Sequence, residues 1–220
     1  LVHLAGETGG TSEEAGLGTN VLGTRRLLRY VLDRGCKKIV LASSIAAYGC
    51  LHPDFVPKRL PMLPTDPCQA QDAYGLSKYL MESMASYFAR THQFAEIVGL
   101  RFGWVMYSSR SQMPWCEVDE TVPLPFLYLG QVSEHDVMAG IEHVLRSPSK
   151  PGRHLHNLVG PDIRSKGHVA DFLRHRLGGA AKELQITAFE QPGSQCTPIY
   201  SMDSFEQDYG FKSTHSVCVN

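Results

Sequence analysis

Long apolar runs are missing from this chain of 220 residues. None approaches the roughly 18 residues that a membrane-spanning helix needs, and no basic stretch followed by an apolar one forms a secretory signal. An excess of charge is missing too: 21 Lys and Arg nearly balance 22 Asp and Glu, for a net charge of −1. Such a balance offers no field that would attract nucleic acid or an anionic membrane. We therefore expect a soluble, cytoplasmic protein with no nucleic-acid or membrane partner.

Closely spaced cysteines are also absent. The six cysteines are scattered, with no Cys-x-x-Cys pair, which predicts free thiols in a reducing compartment. His154 and His156 would share one face of a strand, as metal ligands do. The sequence offers no further ligand nearby except Asp162. We interpret them as ordinary strand-end histidines and predict no metal site.

The chain also lacks an initial methionine and begins inside an apolar run, Leu-Val-His-Leu-Ala-Gly. We therefore expect it to be the later part of a longer protein.

What is present is the pattern of an α/β protein with a core, since 43% of the residues are hydrophobic. Three apolar runs predict buried parallel strands at residues 1–5, 38–42 and 97–102, with helices at 21–32 and 72–90 between them. Five prolines make residues 50–73 a surface loop. Further on, residues 104–129 are expected to be irregular. The remaining predictions are helices at 135–145, 166–177 and 203–209 and strands at 156–159 and 185–189.

Tyr74 and Lys78 lie four residues apart on a predicted helix, so their side chains share a face. An ammonium group near a phenol lowers its pKa, and such a tyrosine can move a proton at an alcohol or carbonyl. The alternative is an exposed helix face. Ser43 and Ser44 end a buried strand, where open α/β sheets bind ligands. Their alternative role is that of turn residues.

Five motifs, taken together, resemble one family. They are residues 2–6 (Val-His-Leu-Ala-Gly), 19–28 (Thr-Asn-Val-Leu-Gly-Thr-Arg-Arg-Leu-Leu), 39–49 (Ile-Val-Leu-Ala-Ser-Ser-Ile-Ala-Ala-Tyr-Gly), 72–78 (Asp-Ala-Tyr-Gly-Leu-Ser-Lys) and 99–103 (Gly-Leu-Arg-Phe-Gly). In order and spacing they resemble the extended short-chain dehydrogenases/reductases, the NAD-dependent epimerase/dehydratase family. Asp136, the segment from His156 to Gly160 and the closing segment 203–211 agree with it.

The resemblance implies a Rossmann-like, doubly wound parallel sheet whose first strands and Gly-rich phosphate loop precede the chain, and a small C-terminal substrate-binding region. It divides the chain into a partial cofactor-binding core, residues 1–103, and a mixed region, residues 104–220, that completes the core and forms a small substrate-binding lobe. A homodimer formed through the helices near 19–33 and 74–90 is also implied.

The resemblance also assigns roles to residues. Tyr74 would be the catalytic acid/base, Lys78 would hold the nicotinamide ribose and lower the tyrosine pKa, Ser44 would bind the substrate oxygen, and Asn20 would shape the site. NAD or NADP would be the cofactor. The residues expected to contact it are Leu4, Ala5, Gly6, Ala42, Ser43, Tyr74, Lys78, Phe102 and Gly103.

The implied activity is hydride transfer on a sugar, a uronate or a similar hydroxy or carbonyl compound. Trp104 stands where many epimerases have Asn, and Arg110 is the main basic residue available nearby. Both features favour a substrate smaller than a nucleotide sugar. Two questions stay open. The protein could be an epimerase or, alternatively, a dehydrogenase or reductase, and it could be an enzyme or a cofactor-sensing or scaffold protein on the same fold.

Overall fold

A four-stranded parallel sheet forms the centre of the protein in a computed structural model that describes residues 1–107 and 125–218. Its strands are β1 (Val2–His3), β2 (Lys38–Ser44), β3 (Glu96–Phe102) and β6 (Gly152–Leu158), in the order β1-β2-β3-β6. Val40 of β2 lies between Val2 and Val98 of its neighbours. Two short strands, β4 (Trp104–Met106) and β5 (Gln131–Ser133), pair separately in parallel. The predicted α/β class with a parallel sheet is confirmed.

Helices cover both faces of this sheet. The α-helices of the described residues, with one π-helical segment, are α1 (Glu13–Gly16), the π-helical segment (Leu17–Gly23), α2 (Thr24–Leu32), α3 (Ala73–Thr91), α4 (Pro125–Tyr128), α5 (Glu134–Arg146), α6 (Val169–Leu177) and α7 (Asp203–Tyr209). On one face Leu28 of α2 and Phe88 of α3 pack against Ile39 and Ile97 of the sheet. On the other face, α5 and α7 pack over side chains that include Val98. The strands are apolar on both sides because both sides are buried.

Local sequence explains where several helices begin and end. The side chain of Asp72 accepts a hydrogen bond from the Gly75 amide at 2.7 Å and so caps the start of α3. Helix α7 ends at Gly210, whose φ of 67° suits a residue without a side chain. The predicted helix at residues 203–209 is confirmed with its bounds.

Three predictions need correction. Residues 104–129, expected to be irregular, include β4 (Trp104–Met106) and α4 (Pro125–Tyr128). Residues 185–189 form no strand but include a 3₁₀ helix, Ile186–Phe189, because Ile186 and Phe189, three residues apart, both turn into the core. The proline-rich segment 50–73 contains no regular element apart from the first residue of α3, as predicted, but it is not merely a surface loop. Phe55, Leu60 and Met62 are buried in a third core beside α4 and α6.

Met62 joins that segment to the C-terminal region through a parallel bridge to Tyr200. Its amide donates to the Ile199 carbonyl at 2.7 Å, and its own carbonyl accepts from the Ser201 amide at 2.9 Å. These bonds satisfy backbone groups that would otherwise be buried without partners. The segment is therefore anchored despite its prolines.

Gly103 lies at the point where β3 meets β4. A Cβ atom built on Gly103 would stand 1.9 Å from the Gly130 carbonyl oxygen, so only glycine allows the backbones to approach. Residues 108–124 of the segment predicted to be irregular, with Arg110 and Cys116, lie outside the described residues. Within the described part, no helix is both long and apolar enough to cross a membrane. The division of the chain at Gly103 stays a prediction.

Candidate functional site

The candidate site lies at the carboxyl ends of β2 and β3, with α3 passing beside them. Ser44 ends β2, and its hydroxyl accepts a hydrogen bond from the Ala46 amide at 3.1 Å, capping the 3₁₀ helix Ile45–Tyr48. Helix α3 reaches this turn because Gly75 has no side chain. A Cβ atom there would stand 2.5 Å from the Ala46 carbonyl oxygen. The close contact brings Tyr74 beside Ser44.

The pKa of Tyr74 is raised above its ordinary value. Burial is the largest influence and raises it, while a hydrogen bond with the Ser44 side chain lowers it and the Asp72 carboxylate raises it. The expected net lowering of this pKa is therefore not found in the protein alone. The tyrosine keeps its proton at neutral pH, which is the form that can donate to a carbonyl oxygen.

Lys78 is buried one helical turn further along α3. Its Nζ donates to the Ala42 carbonyl at 2.8 Å and lies 5.5 Å from the centre of the Tyr74 ring. Burial lowers the pKa of Lys78 from 10.5 to about 8, against an upward influence of Glu82. The Ala42 carbonyl thus fixes the ammonium near the Tyr74 ring.

Asn20 joins the loop after β1 to α3. Its Oδ1 accepts from the Glu7 amide at 2.8 Å, and its Nδ2 donates to the Glu7 carbonyl at 3.2 Å and to Ser77 Oγ at 2.8 Å. Ser77 in turn donates to the Tyr74 carbonyl at 2.8 Å. The family resemblance implied that Asn20 shapes the site. In the structure Asn20 is connected to Tyr74 by hydrogen bonds through one intervening residue, Ser77.

Gly6 faces both Asn20 and Lys78. A Cβ atom on Gly6 would lie 2.7 Å from Asn20 Oδ1 and 3.5 Å from Lys78 Nζ, so a side chain has no room there. Leu4, Ala5 and Gly6 are exposed after β1. Exposed backbone beside a lysine ammonium is a suitable surface for a hydroxylated ligand.

The other predicted cofactor contacts differ in accessibility. Phe102 is half-buried at the end of β3, whereas Gly103 is buried. Ser43 is 2% exposed, and its hydroxyl donates to Glu82 Oε1 at 2.5 Å. The Ser43 side chain therefore bonds to a buried carboxylate, whereas that of Ser44 hydrogen-bonds to Tyr74.

A buried network beneath the site was missed by sequence reasoning. Arg101 of β3 donates to both carboxylate oxygens of Glu82, from Nε at 2.8 Å and from Nη2 at 2.7 Å. The Arg101 guanidinium also lies 4.2 Å from the centre of the Tyr48 ring. Tyr48 donates to Asn157 Oδ1 at 2.7 Å, and Asn157 Nδ2 donates to the Met62 carbonyl at 3.1 Å. Two features of the sequence could have indicated this network: Glu82 lies four residues after Lys78, and Arg101 lies inside an apolar strand.

Comparison with known proteins identifies the family. Residues 1–113, just over half of the 220, match the NAD dependent epimerase/dehydratase family. The chain belongs to this family. The resemblance expected from the five motifs is thereby confirmed.

Curated relatives of this epimerase/dehydratase chain include UDP-glucose 4-epimerases. UDP-glucose 4-epimerase 2 of Arabidopsis thaliana is 31% identical over 106 residues, which cover 46% of this chain and 29% of the relative. The enzyme of Halalkalibacterium halodurans is 33% identical over 88 residues, 40% of this chain and 23% of the relative. The matches thus span less than a third of these relatives' length.

Solved structures agree with the fold. A structure of MoeE5 in complex with UDP-glucuronic acid and NAD has a TM-score of 0.65 at 19% identity, covering 98% of this chain and 74% of that one. A mutated uronate dehydrogenase has a TM-score of 0.58 at 19% identity, covering 98% and 64%. The Rossmann-like fold of the extended short-chain dehydrogenases/reductases is therefore confirmed.

The Glu82–Arg101 pair leads to a stability prediction. Both side chains are at most 3% exposed, so Glu82→Gln or Arg101→Met leaves one charge buried without its partner. We expect each to lower the free energy of unfolding by about 3–5 kcal/mol in urea titrations, and the double variant to lose less than the sum. Glu142→Gln, in an exposed pair with Arg146, is the control and should cost about 0.5 kcal/mol. Additive losses would contradict a coupled pair.

Lys78 leads to a prediction about pH. Below pH 8 both folded and unfolded chains carry the Lys78 proton, and the folded state bears the full cost of burying the charge. As pH rises from about 8 to 10.5 that cost shrinks, and above 10.5 it vanishes. Lys78→Met should therefore raise the free energy of unfolding at pH 7, by about 2–3 kcal/mol, and by much less at pH 10. Urea unfolding at both pH values measures this, with exposed Lys212→Met as a control. A gain of the same size at both pH values would rule out a charge effect.

Proposed function

We propose that this protein catalyses NAD-dependent hydride transfer at a hydroxyl- or carbonyl-bearing carbon of a sugar-type substrate. The observation that carries the proposal is the grouping of Tyr74, hydrogen-bonded to Ser44, with the Lys78 ammonium 5.5 Å from the Tyr74 ring. Membership of the family and the sequence-related epimerases support an enzyme of this class. Among structures of the same fold, MoeE5 has been solved with NAD.

The residues present fit the nicotinamide ribose of such a cofactor. The Gly6 backbone is exposed and lacks room for a side chain, and Lys78 Nζ lies beside it. Lys78 would donate to the ribose hydroxyls, while Phe102 would border the ring. When bound, NAD supplies the chemistry of a reversible hydride acceptor.

Within the site, Tyr74 moves the proton. Its raised pKa keeps the hydroxyl protonated in the free protein, ready to donate to a substrate carbonyl oxygen. The Ser44 hydroxyl would hold the same oxygen and keep it near the phenol. In the opposite direction Tyr74 must accept the proton of a hydroxyl, and a lysine ammonium close to it favours the phenolate that this requires.

The substrate class is inferred from the similar proteins and from the expectation drawn from Trp104. The sequence relatives named above are UDP-glucose 4-epimerases, and MoeE5 has been solved with UDP-glucuronic acid. The uronate dehydrogenase is named for uronates. In this chain Trp104 follows β3 and packs against Tyr128 with ring centres 4.8 Å apart. The preference for a compact sugar or uronic acid over a nucleotide sugar is tested by the substrate panel below.

Turnover with substitutions at Tyr74 tests the proposal. The protein is incubated with NAD and panels of free sugars, uronates and UDP-sugars, and NADH absorbance and product formation are followed. Tyr74→Phe should lower kcat about 100- to 10,000-fold while leaving the Kd for NAD nearly unchanged, because only the transferable proton is lost. Tyr79→Phe, one residue after Lys78 on α3, is the matched control and should keep full activity.

Two results would contradict the proposal in different ways. Unchanged turnover in Tyr74→Phe would remove the tyrosine from the chemistry. Binding of NAD without turnover of any substrate would instead favour the cofactor-sensing or scaffold role.

We further propose a homodimer formed through α2, α3 and the preceding π-helical segment. Leu22 and Tyr30 are 53% and 57% exposed, and Tyr79 and Tyr87 are 39% and 46% exposed. Each pair is eight residues apart, so it shares a helix face. Exposed apolar faces of this kind mark interaction surfaces.

Sedimentation tests the dimer. Leu22→Glu and Tyr87→Glu should shift the protein to a monomer, because a charge in the interface is desolvated without a partner. Met138→Glu on α5, where Met138 is 58% exposed, is the control and should not change the mass. A monomeric unsubstituted protein would refute the proposal.

The cytoplasm is the compartment we propose. The cysteines within the described residues are all free, as a reducing compartment requires. Fractionation of expressing cells checks this location.

A further inference from the structure

Two histidines and a carboxylate meet on the α7 side of the sheet, outside the Tyr74 site. His154 and His156 are two residues apart on β6 and so point to the same face, where Asp208 of α7 lies against them. One ligand-type atom from each residue lies within 4.8 Å of the others. Asp162, the further ligand that the sequence offered nearby, instead accepts hydrogen bonds from Ser216 and Val217.

Hydrogen bonds leave one nitrogen of each ring available. His154 Nε2 lies 2.8 Å from the Lys150 carbonyl, which can only accept, so Nε2 carries the proton and Nδ1 keeps its lone pair. His156 Nδ1 lies 2.9 Å from Ser204 Oγ. Rings held by an oxygen on one nitrogen, with the other nitrogen left to ligate, are characteristic of metal-binding histidines.

His156 adds an independent observation. The residue is 2% exposed, and its Nε2 is buried without a hydrogen-bond partner in the described part of the chain. That nitrogen faces Asp208 Oδ2 at 3.5 Å. An unpartnered nitrogen in the interior is costly unless something fills the gap.

We propose that His154, His156 and Asp208 bind one divalent transition-metal ion of the zinc type. Zinc bonds of about 2.0–2.1 Å in a tetrahedral site place neighbouring ligand atoms about 3.3 Å apart, close to the 3.5 Å between His156 Nε2 and Asp208 Oδ2. The other separations within the group are at most 4.8 Å, and the side chains of His154 and Asp208, neither of them buried, would rotate to close them. Two imidazoles and one carboxylate suit zinc, with water as the fourth ligand.

The surroundings of these three residues determine how strongly they would bind the ion. His156 is buried and its Nδ1 is engaged by Ser204, so Nε2 is the nitrogen left to ligate the ion. Lys150 opposes the ion, because its Nζ lies 3.9 Å from Asp208 Oδ1 and also donates to the Asp208 carbonyl. Its side chain is 41% exposed and can turn into solvent, so the ammonium competes with the metal without blocking it. The bound ion would tie α7 to β6.

Calorimetric titration of the metal-free protein with ZnCl₂ tests the site, together with visible absorption of Co²⁺ as a probe of tetrahedral geometry. We expect one ion per chain, a tetrahedral Co²⁺ spectrum and a raised Tm on zinc binding. His154→Ala and Asp208→Asn should weaken binding about 100-fold or more. Lys150→Met should strengthen zinc binding, because it removes the competing ammonium. If these residues only supported the fold, this substitution would not raise the affinity for zinc.

His135→Ala is the matched control, since His135 is an exposed histidine on α5 outside the group. It should bind zinc as the unsubstituted protein does. Equal weakening in His135→Ala and His154→Ala would mean adventitious binding to surface histidines. That result, or the absence of zinc binding, would overturn the proposal.

Discussion

The buried ion pair between Glu82 and Arg101 is the constraint on which the rest of the site depends. It joins α3 to β3, and Ser43 ties the end of β2 to the same carboxylate. Arg101 also donates to the Pro64 carbonyl at 3.3 Å and lies over the Tyr48 ring. Burial lowers the pKa of Arg101, but the adjacent Glu82 carboxylate more than offsets this and the net shift is upward. Arg101 therefore stays charged, and the directional bonds of the pair allow little variation in how these elements meet.

This constraint extends from the sheet to the C-terminal region. Tyr48 donates to Asn157 of β6, whose amide donates to the carbonyls of Met62 and Ser201. Through these bonds the proline-rich segment and the region before α7 are fixed relative to Ser44. Residues that contact neither Tyr74 nor Lys78 thus determine where those two side chains lie.

Lys78 shows the cost of such a site. A buried ammonium with a pKa of about 8 destabilises the folded protein at neutral pH, yet its bond to the Ala42 carbonyl holds it beside Tyr74. Burial also raises the pKa of Tyr74, so in the protein alone its hydroxyl stays protonated at neutral pH. Accepting a proton from an alcohol requires the deprotonated phenolate instead. Sites that combine desolvation with charge partners in this way are typical of catalysis.

The parallel α/β fold and the pairing of Tyr74 with Lys78 could be predicted from the sequence, because they depend on local periodicity and on spacing within one helix. The family could be predicted from the resemblance of five motifs. The capped start of α3 at Asp72 and the end of α7 at Gly210 are equally local. Tertiary packing alone makes Ser43 face Glu82 while Ser44 faces Tyr74, and brings Asp208 to His154 and His156. It also placed the proline-rich segment in a core and made residues 186–189 a 3₁₀ helix. Such contacts join residues far apart in the chain, and no local pattern records which of them packing will bring together.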